Sequence, residues 1–236
     1  MSVASKTIAA PAPGRITLFW ASSIGKKALM ALTGIVLFLY VLGHLLGNLQ
    51  LYLGPDSTGA QAIDRYARFL HESKGLLWTA RTVIGLSFLV HAVAGIQLHL
   101  AKAAARPVPY HQKESVNSTV ASRTMIWTGV LILGFVVYHL LHLTVGSAHP
   151  DFREGQVFHN VTVGLARGGA ALAYVVAMVA LGFHLRHGLY SLFQSLGAGN
   201  PAITRNVYVV AAWVGTAIAL ANLSFPLAAL VGFGRG

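Results

Sequence analysis

Long apolar runs alternate with short polar segments along the whole chain. Five of these runs reach the roughly 20 residues that a helix needs to cross a bilayer. They cover roughly 28–49, 77–101, 124–146, 168–194 and 207–231. Proline interrupts none of them until Pro226, near the end of the fifth. The breakers gather between runs instead, as LGPDSTG at 53–59, ARPVP at 105–109 and GAGNP at 197–201. Backbone groups in lipid must be satisfied within their own segment, so helices are the expected spanning elements. The pattern predicts an all-α integral membrane protein, with residues 1–236 forming one transmembrane domain of five helices.

Composition agrees with that pattern. The chain is 55% hydrophobic and only 10% charged, with a mean hydropathy of +0.64, whereas a soluble domain carries roughly 25% charged residues. There is no cysteine, which excludes disulfides, iron–sulfur ligation and thiolate metal sites. Residues 1–25 hold scattered basic residues and two prolines but no continuous apolar core, so a cleaved signal peptide is not expected. The net charge of +11 would point to nucleic acid in a soluble protein; here its placement in loops explains it better. The N-terminus, the 102–123 loop and the 186–206 segment together hold ten Lys/Arg and one acid, Glu114. The 48–75 loop, the 147–167 loop and the C-terminal tail hold six Lys/Arg and five acids. By the positive-inside rule the first set faces the cytoplasm, and the N-terminus with it.

The stretch FVVYHLLHL, residues 135–143, raises the chemical question. It puts His139 and His142 in hydrocarbon, where ionisable rings are costly and rare. His71, His111, His149 and His159 fall in loops, while His44, His91, His99, His139, His142, His184 and His187 fall in spans. Depth sorts the second group. At about 1.5 Å per residue, His44 lies about 25 Å from the inner end of its span and His139 about 24 Å. His91 and His184 both lie about 16 Å from the inner end. Four helices thus offer two matched pairs, an outer His44/His139 and an inner His91/His184. That is the arrangement needed to hold two haems, each iron taking one imidazole from either side. His142, His187 and His99 fall off these levels. They suit haem propionates, a supporting shell or proton transfer, or else they point at headgroups. The string HLLGN in the first span echoes HLLHL in the third, hinting at a repeated two-helix unit.

Four strings carry a resemblance: SSIGKKALMALTG (22–34), VLGHLLGNLQLYLG (41–54), ASRTMIWTG (121–129) and FHLRHGLYSLFQSLG (183–197). Together they resemble the cytochrome b membrane-anchor subunit of succinate dehydrogenase and fumarate reductase, in its single-chain, five-helix, di-haem form. The resemblance implies a flavoprotein and an iron–sulfur subunit as partners, in the inner membrane of the cell with the soluble subunits on the cytoplasmic side. It implies electron flow from succinate through two b-type haems to a quinone, with menaquinone suiting the di-haem type. The family's third-span ligand falls ten residues after the glycine of a TG pair, which from Gly129 is His139. Its fourth-span ligand lies four residues before the glycine of a GLY-like motif, which is His184 ahead of Gly188. The fifth span carries no ligand in the family and holds no histidine here. Some fumarate reductases place a glutamate two residues before the fourth-span ligand for proton movement; Gly182 stands there in this chain.

Other residues carry two readings each. Ser22, Ser23, Lys26 and Lys27 open the first span, where they would meet quinone or the iron–sulfur subunit, or serve as a basic flank that fixes topology. Arg81 sits at the outer haem's depth, where it would pair with a propionate or snorkel to the surface. Arg123 and Arg186 would do the same for the inner haem, or cap the inner surface. A cytochrome b of the quinol–cytochrome c oxidoreductase type needs histidines about 13–14 residues apart on one span, close to four helical turns, and no span offers that. A transporter using His139/His142 and His184/His187 for metal ions or protons is the alternative of a different class, but no Asp or Glu lies in any span to accompany them.

Overall fold

The computed structural model describes residues 14–105, 120–195, 197 and 201–234. His111, most of ARPVP and part of GAGNP lie outside the described residues. Among the described residues the chain is all helix apart from turns and one isolated bridge between Pro55 and Gln61. The elements are α1 (Arg15–Ala21), α2 (Ser23–Asn48), α3 (Ala62–Glu72), α4 (Lys74–Ala104), α5 (Val120–Arg123), α6 (Met125–Leu140), α7 (Val157–Leu165), α8 (Gly168–Ser195) and α9 (Pro201–Leu230). A 3₁₀ turn, Leu49–Tyr52, extends α2, and a π-helical turn, Leu141–Val145, extends α6. Five stretches are long and apolar enough to span a membrane: Ser23–Tyr52, Lys74–Ala104, Met125–Val145, Gly168–Ser195 and Thr204–Leu230. They fall where the apolar runs put them, with ends shifted by a few residues. α9 continues through Pro226, whose side chain is buried.

The packing inverts that of a soluble protein. Large side chains such as Leu39, Leu86 and Trp213 face outward, while Ala31, Ala94, Ala171, Ala177, Ala211 and Ala219 fill the contacts between helices. Lipid gives no hydrophobic drive to helix association, so close approach of small residues has to supply it. α2 packs on α4, and α6 on α8; α9 lies against α8, outside the four-helix group. Two glycines set that last contact. A Cβ on Gly215 would lie 2.9 Å from the Arg186 backbone nitrogen, and one on Gly182 would lie 2.9 Å from the Ala219 Cβ.

Four elements outside the five runs went unread in the sequence, the short α1 and α5 and, in segments expected to be loops, α3 and α7. The last two meet over the ends of α2 and α6, where the Asp64 carboxylate of α3 accepts the Phe158 N–H of α7 at 2.8 Å. The C-terminal part of α9 closes the same end: Tyr52 stacks on Phe225, and its hydroxyl donates to Ser224 at 2.8 Å. At the opposite end α1 turns into α2 about Ser22, whose oxygen accepts the Gly25 N–H at 2.9 Å as an N-cap.

Candidate functional site

Two histidine pairs occupy the space among α2, α4, α6 and α8. His44 of α2 faces His139 of α6, with ring centroids 5.8 Å apart and planes at 87°. His91 of α4 faces His184 of α8, at 6.3 Å and 60°. Two imidazoles on opposite sides of one metal, each bonded at about 2 Å, place their centroids about 6 Å apart. All four rings are largely covered by the surrounding helices.

Hydrogen bonding fixes which nitrogen is available in the second pair. His91 Nδ1 lies 3.2 Å from the Met30 carbonyl oxygen. A carbonyl only accepts, so Nδ1 carries the proton and Nε2 keeps its lone pair. The Thr33 oxygen, 3.3 Å from the same Nδ1, sends its own hydrogen to the Leu29 carbonyl at 2.6 Å. Thr128 repeats this on α6: it donates to the Met125 carbonyl at 3.0 Å and lies 3.2 Å from His184 Nδ1. A Thr hydroxyl spent on its own helix accepts from the ring, leaving Nε2 free for a metal. The neighbouring glycines make room, since a Cβ on Gly34 or Gly129 would come 3.5 Å from Cε1 of His91 or His184.

The first pair is supported differently. Each of its rings rests on an aromatic side chain four residues earlier, Tyr40 for His44 and Phe135 for His139, with centroids 5.5 and 5.7 Å apart. His139 Nδ1 lies 3.1 Å from the Tyr174 hydroxyl of α8, and His142 Nδ1 lies 3.1 Å from the same oxygen. His142 does not point at headgroups: it is 1% exposed. The π-helical turn swings it beneath α7, stacked on Tyr138 and beside His149. Tyr174 was missed by the sequence reading, as was Gln97, whose carbonyl oxygen is buried without a partner among the described residues.

The basic residues separate. Arg186 is half-buried, donates to the Tyr208 hydroxyl at 2.7 Å and lies over that ring. Its Nε is buried with no partner among the described residues, on the face of α8 that meets α9. Arg81 is exposed, with its guanidinium 5.2 Å from the Trp78 ring centroid, which fits a surface anchor. Arg123 is exposed at the end of α5. His187 is half-buried one turn beyond His184, and His99 is exposed. Ser22 is spent on the α1–α2 corner, donating to the Phe19 carbonyl at 2.8 Å as well as capping; Ser23 is exposed and Lys26 half-buried beside it.

This donor set fits b-type haem. Among the described residues no group of three or more His, Cys, Asp or Glu gathers to hold a bare ion. Each pair supplies two facing imidazoles, and the remaining positions on one metal would fall to a macrocycle. Gly182 is closed by α9, so a glutamate at that position would collide with Ala219.

The connecting segments beyond the His44/His139 pair are ordered by carboxylates. Asp56 accepts from the Thr58 hydroxyl at 2.6 Å and pairs with Arg65 at 2.9 Å. The Thr58 hydroxyl, first among several partners, holds its carboxyl below the ordinary range. Asp151 takes the His159 ring at 2.9 Å and Arg153 at 3.0 Å, and the His159 bond is the main cause that lowers its pKa.

A family model described as succinate dehydrogenase/fumarate reductase transmembrane subunit matches residues 104–223, just over half of the chain. The match contains His139 and His184; His44 and His91 precede it. No curated protein and no solved structure matches the chain.

Proposed function

The chain belongs to the succinate dehydrogenase/fumarate reductase transmembrane subunit family, and from that premise we propose that it is the di-haem cytochrome b anchor of a succinate:quinone oxidoreductase. The observation that carries this reading is the pair of facing imidazole couples, spaced as one metal between two rings requires. Bound haem supplies a one-electron carrier in each slot. The chain's own residues do the rest: His44 and His139 hold one iron and His91 and His184 the other. Thr33, Met30 and Thr128 keep the Nδ1 protons in place so that each Nε2 faces its metal. Arg186 is turned to α9, about 200° around α8 from His184, and its guanidinium rests on Tyr208 there. Small side chains at the helix contacts hold these parts in a water-poor interior, where the protein contributes ligands, orientation and electrostatics.

In this reading the His91/His184 couple lies toward the cytoplasmic side, where the iron–sulfur and flavoprotein subunits dock on the Lys/Arg-rich end. Electrons from succinate pass from that side to a membrane quinone, with menaquinone as the proposed partner. The test is a reduced-minus-oxidised spectrum of the purified membrane complex with haem counted per chain. Two b-type haems that succinate reduces are expected. No haem would overturn the cytochrome assignment, and haem that succinate cannot reduce would overturn the assignment to this reaction.

A further inference from the structure

Resting on that reading, we propose that Tyr174 is a positioning residue for the haem of the His44/His139 pair, acting by linking His139 to a second histidine, His142. Its hydroxyl lies 3.1 Å from both His139 Nδ1 and His142 Nδ1. Tyr174 is 7% exposed and packed edge-on by Phe135 at 4.9 Å, so the phenol is held in place away from solvent. With His139 Nε2 on iron, its Nδ1 carries the proton and donates to the Tyr174 oxygen. The phenol hydrogen is then left for His142 Nδ1, which must be unprotonated to accept it, and the His142 proton sits on Nε2. Ligation at His139 thereby sets a one-way chain of hydrogen bonds, His139 to Tyr174 to His142. An acceptor on Nδ1–H makes an imidazole a stronger electron donor, which favours oxidised iron and lowers the haem's potential. The His91/His184 pair has threonine and carbonyl acceptors instead.

The experiment is a redox titration of the haems in the purified holo-complex, for wild type, Tyr174→Phe and His142→Leu. The two haems are identified by which absorption is lost in His139→Ala. In Tyr174→Phe the potential of the His44/His139 haem should rise by several-fold in its reduction equilibrium, while the other haem stays put. In His142→Leu the same haem should move in the same direction by less, because the phenol still accepts from His139. Tyr174→Phe leaving both potentials unchanged, or moving both alike, would overturn the proposal. If Tyr174→Phe loads no haem, His142→Leu decides, and an unmoved potential there would also overturn it. Absence of haem from the wild-type complex would instead overturn the cytochrome reading itself.

Discussion

The α2–α4 and α6–α8 halves of the molecule are built to one plan and finished differently. In both, a Thr-Gly pair (33–34 and 128–129) precedes a histidine by ten residues counted from the glycine. Each threonine faces the Nδ1 of a histidine on the following long helix, and an aromatic side chain supports each of His44 and His139. The halves part company ten residues before His91 and His184, where Arg81 answers Tyr174. Arg81 lies outside over Trp78, whereas Tyr174 reaches into the first pair. They differ again three residues after His44 and His139, where Gly47 answers His142. Tyr66 of α3 would meet a Cβ on Gly47 at 2.7 Å, while His142 is buried in a polar cluster under α7. The repeat places the four paired histidines, and the departures from it decide what surrounds them.

The strongest way to break this symmetry is to fill the His91/His184 cradle. Gly34→Leu or Gly129→Leu pushes a side chain into the adjacent imidazole, whose Cε1 is 3.5 Å from the Cβ position. Each should cost one of the two haems in a pyridine haemochrome count and leave the His44/His139 haem. Gly215→Ala is the control for position: its Cβ meets the α8 backbone, so it should destabilise the bundle by about 1–3 kcal/mol in thermal unfolding. It should not select between the haems. Thr128→Val and Thr33→Val remove an acceptor worth about 1 kcal/mol each, raising the potential of the His91/His184 haem. Thr33→Val should do less, because the Met30 carbonyl still accepts from His91.

The smallest effect concerns the loop beyond the first pair. Asp151 has a depressed pKa in the folded chain, so its stabilising contribution is present above the ordinary carboxylate pKa and is lost as pH falls through the folded value. That places the loss below about pH 4. Hydrogen exchange in residues 147–156 should quicken there, and Asp151→Asn should bring a similar quickening at neutral pH, with little change at the His91/His184 end.

The five spans, and the facing of His44 with His139 and of His91 with His184, were legible because hydrocarbon thickness and a fixed rise per residue leave a spanning helix little freedom. α3 was hidden by its polarity, although Ile63, Tyr66, Ala67 and Leu70 keep one helical face apolar. The Thr-Gly repeat was present in the letters on both sides and would have pointed to Thr33 as well as Thr128. Tyr174 gave no such signal, since a tyrosine in an apolar run is ordinary until the neighbouring helix is in place. The same holds for the Arg186–Tyr208 contact, which joins α8 to α9. The burial of His142 was not legible for a different reason: the π-helical turn and the cover of α7 set it, and neither follows from rise alone.

The central claim is the pairing of ligands across helices, and haem content resolved by spectrum in four single variants tests it most directly. The account predicts that His44→Ala and His139→Ala each abolish the same b haem, and that His91→Ala and His184→Ala each abolish the other. Loss of different haems in His44→Ala and His139→Ala would contradict it, even if all four histidines proved to be ligands.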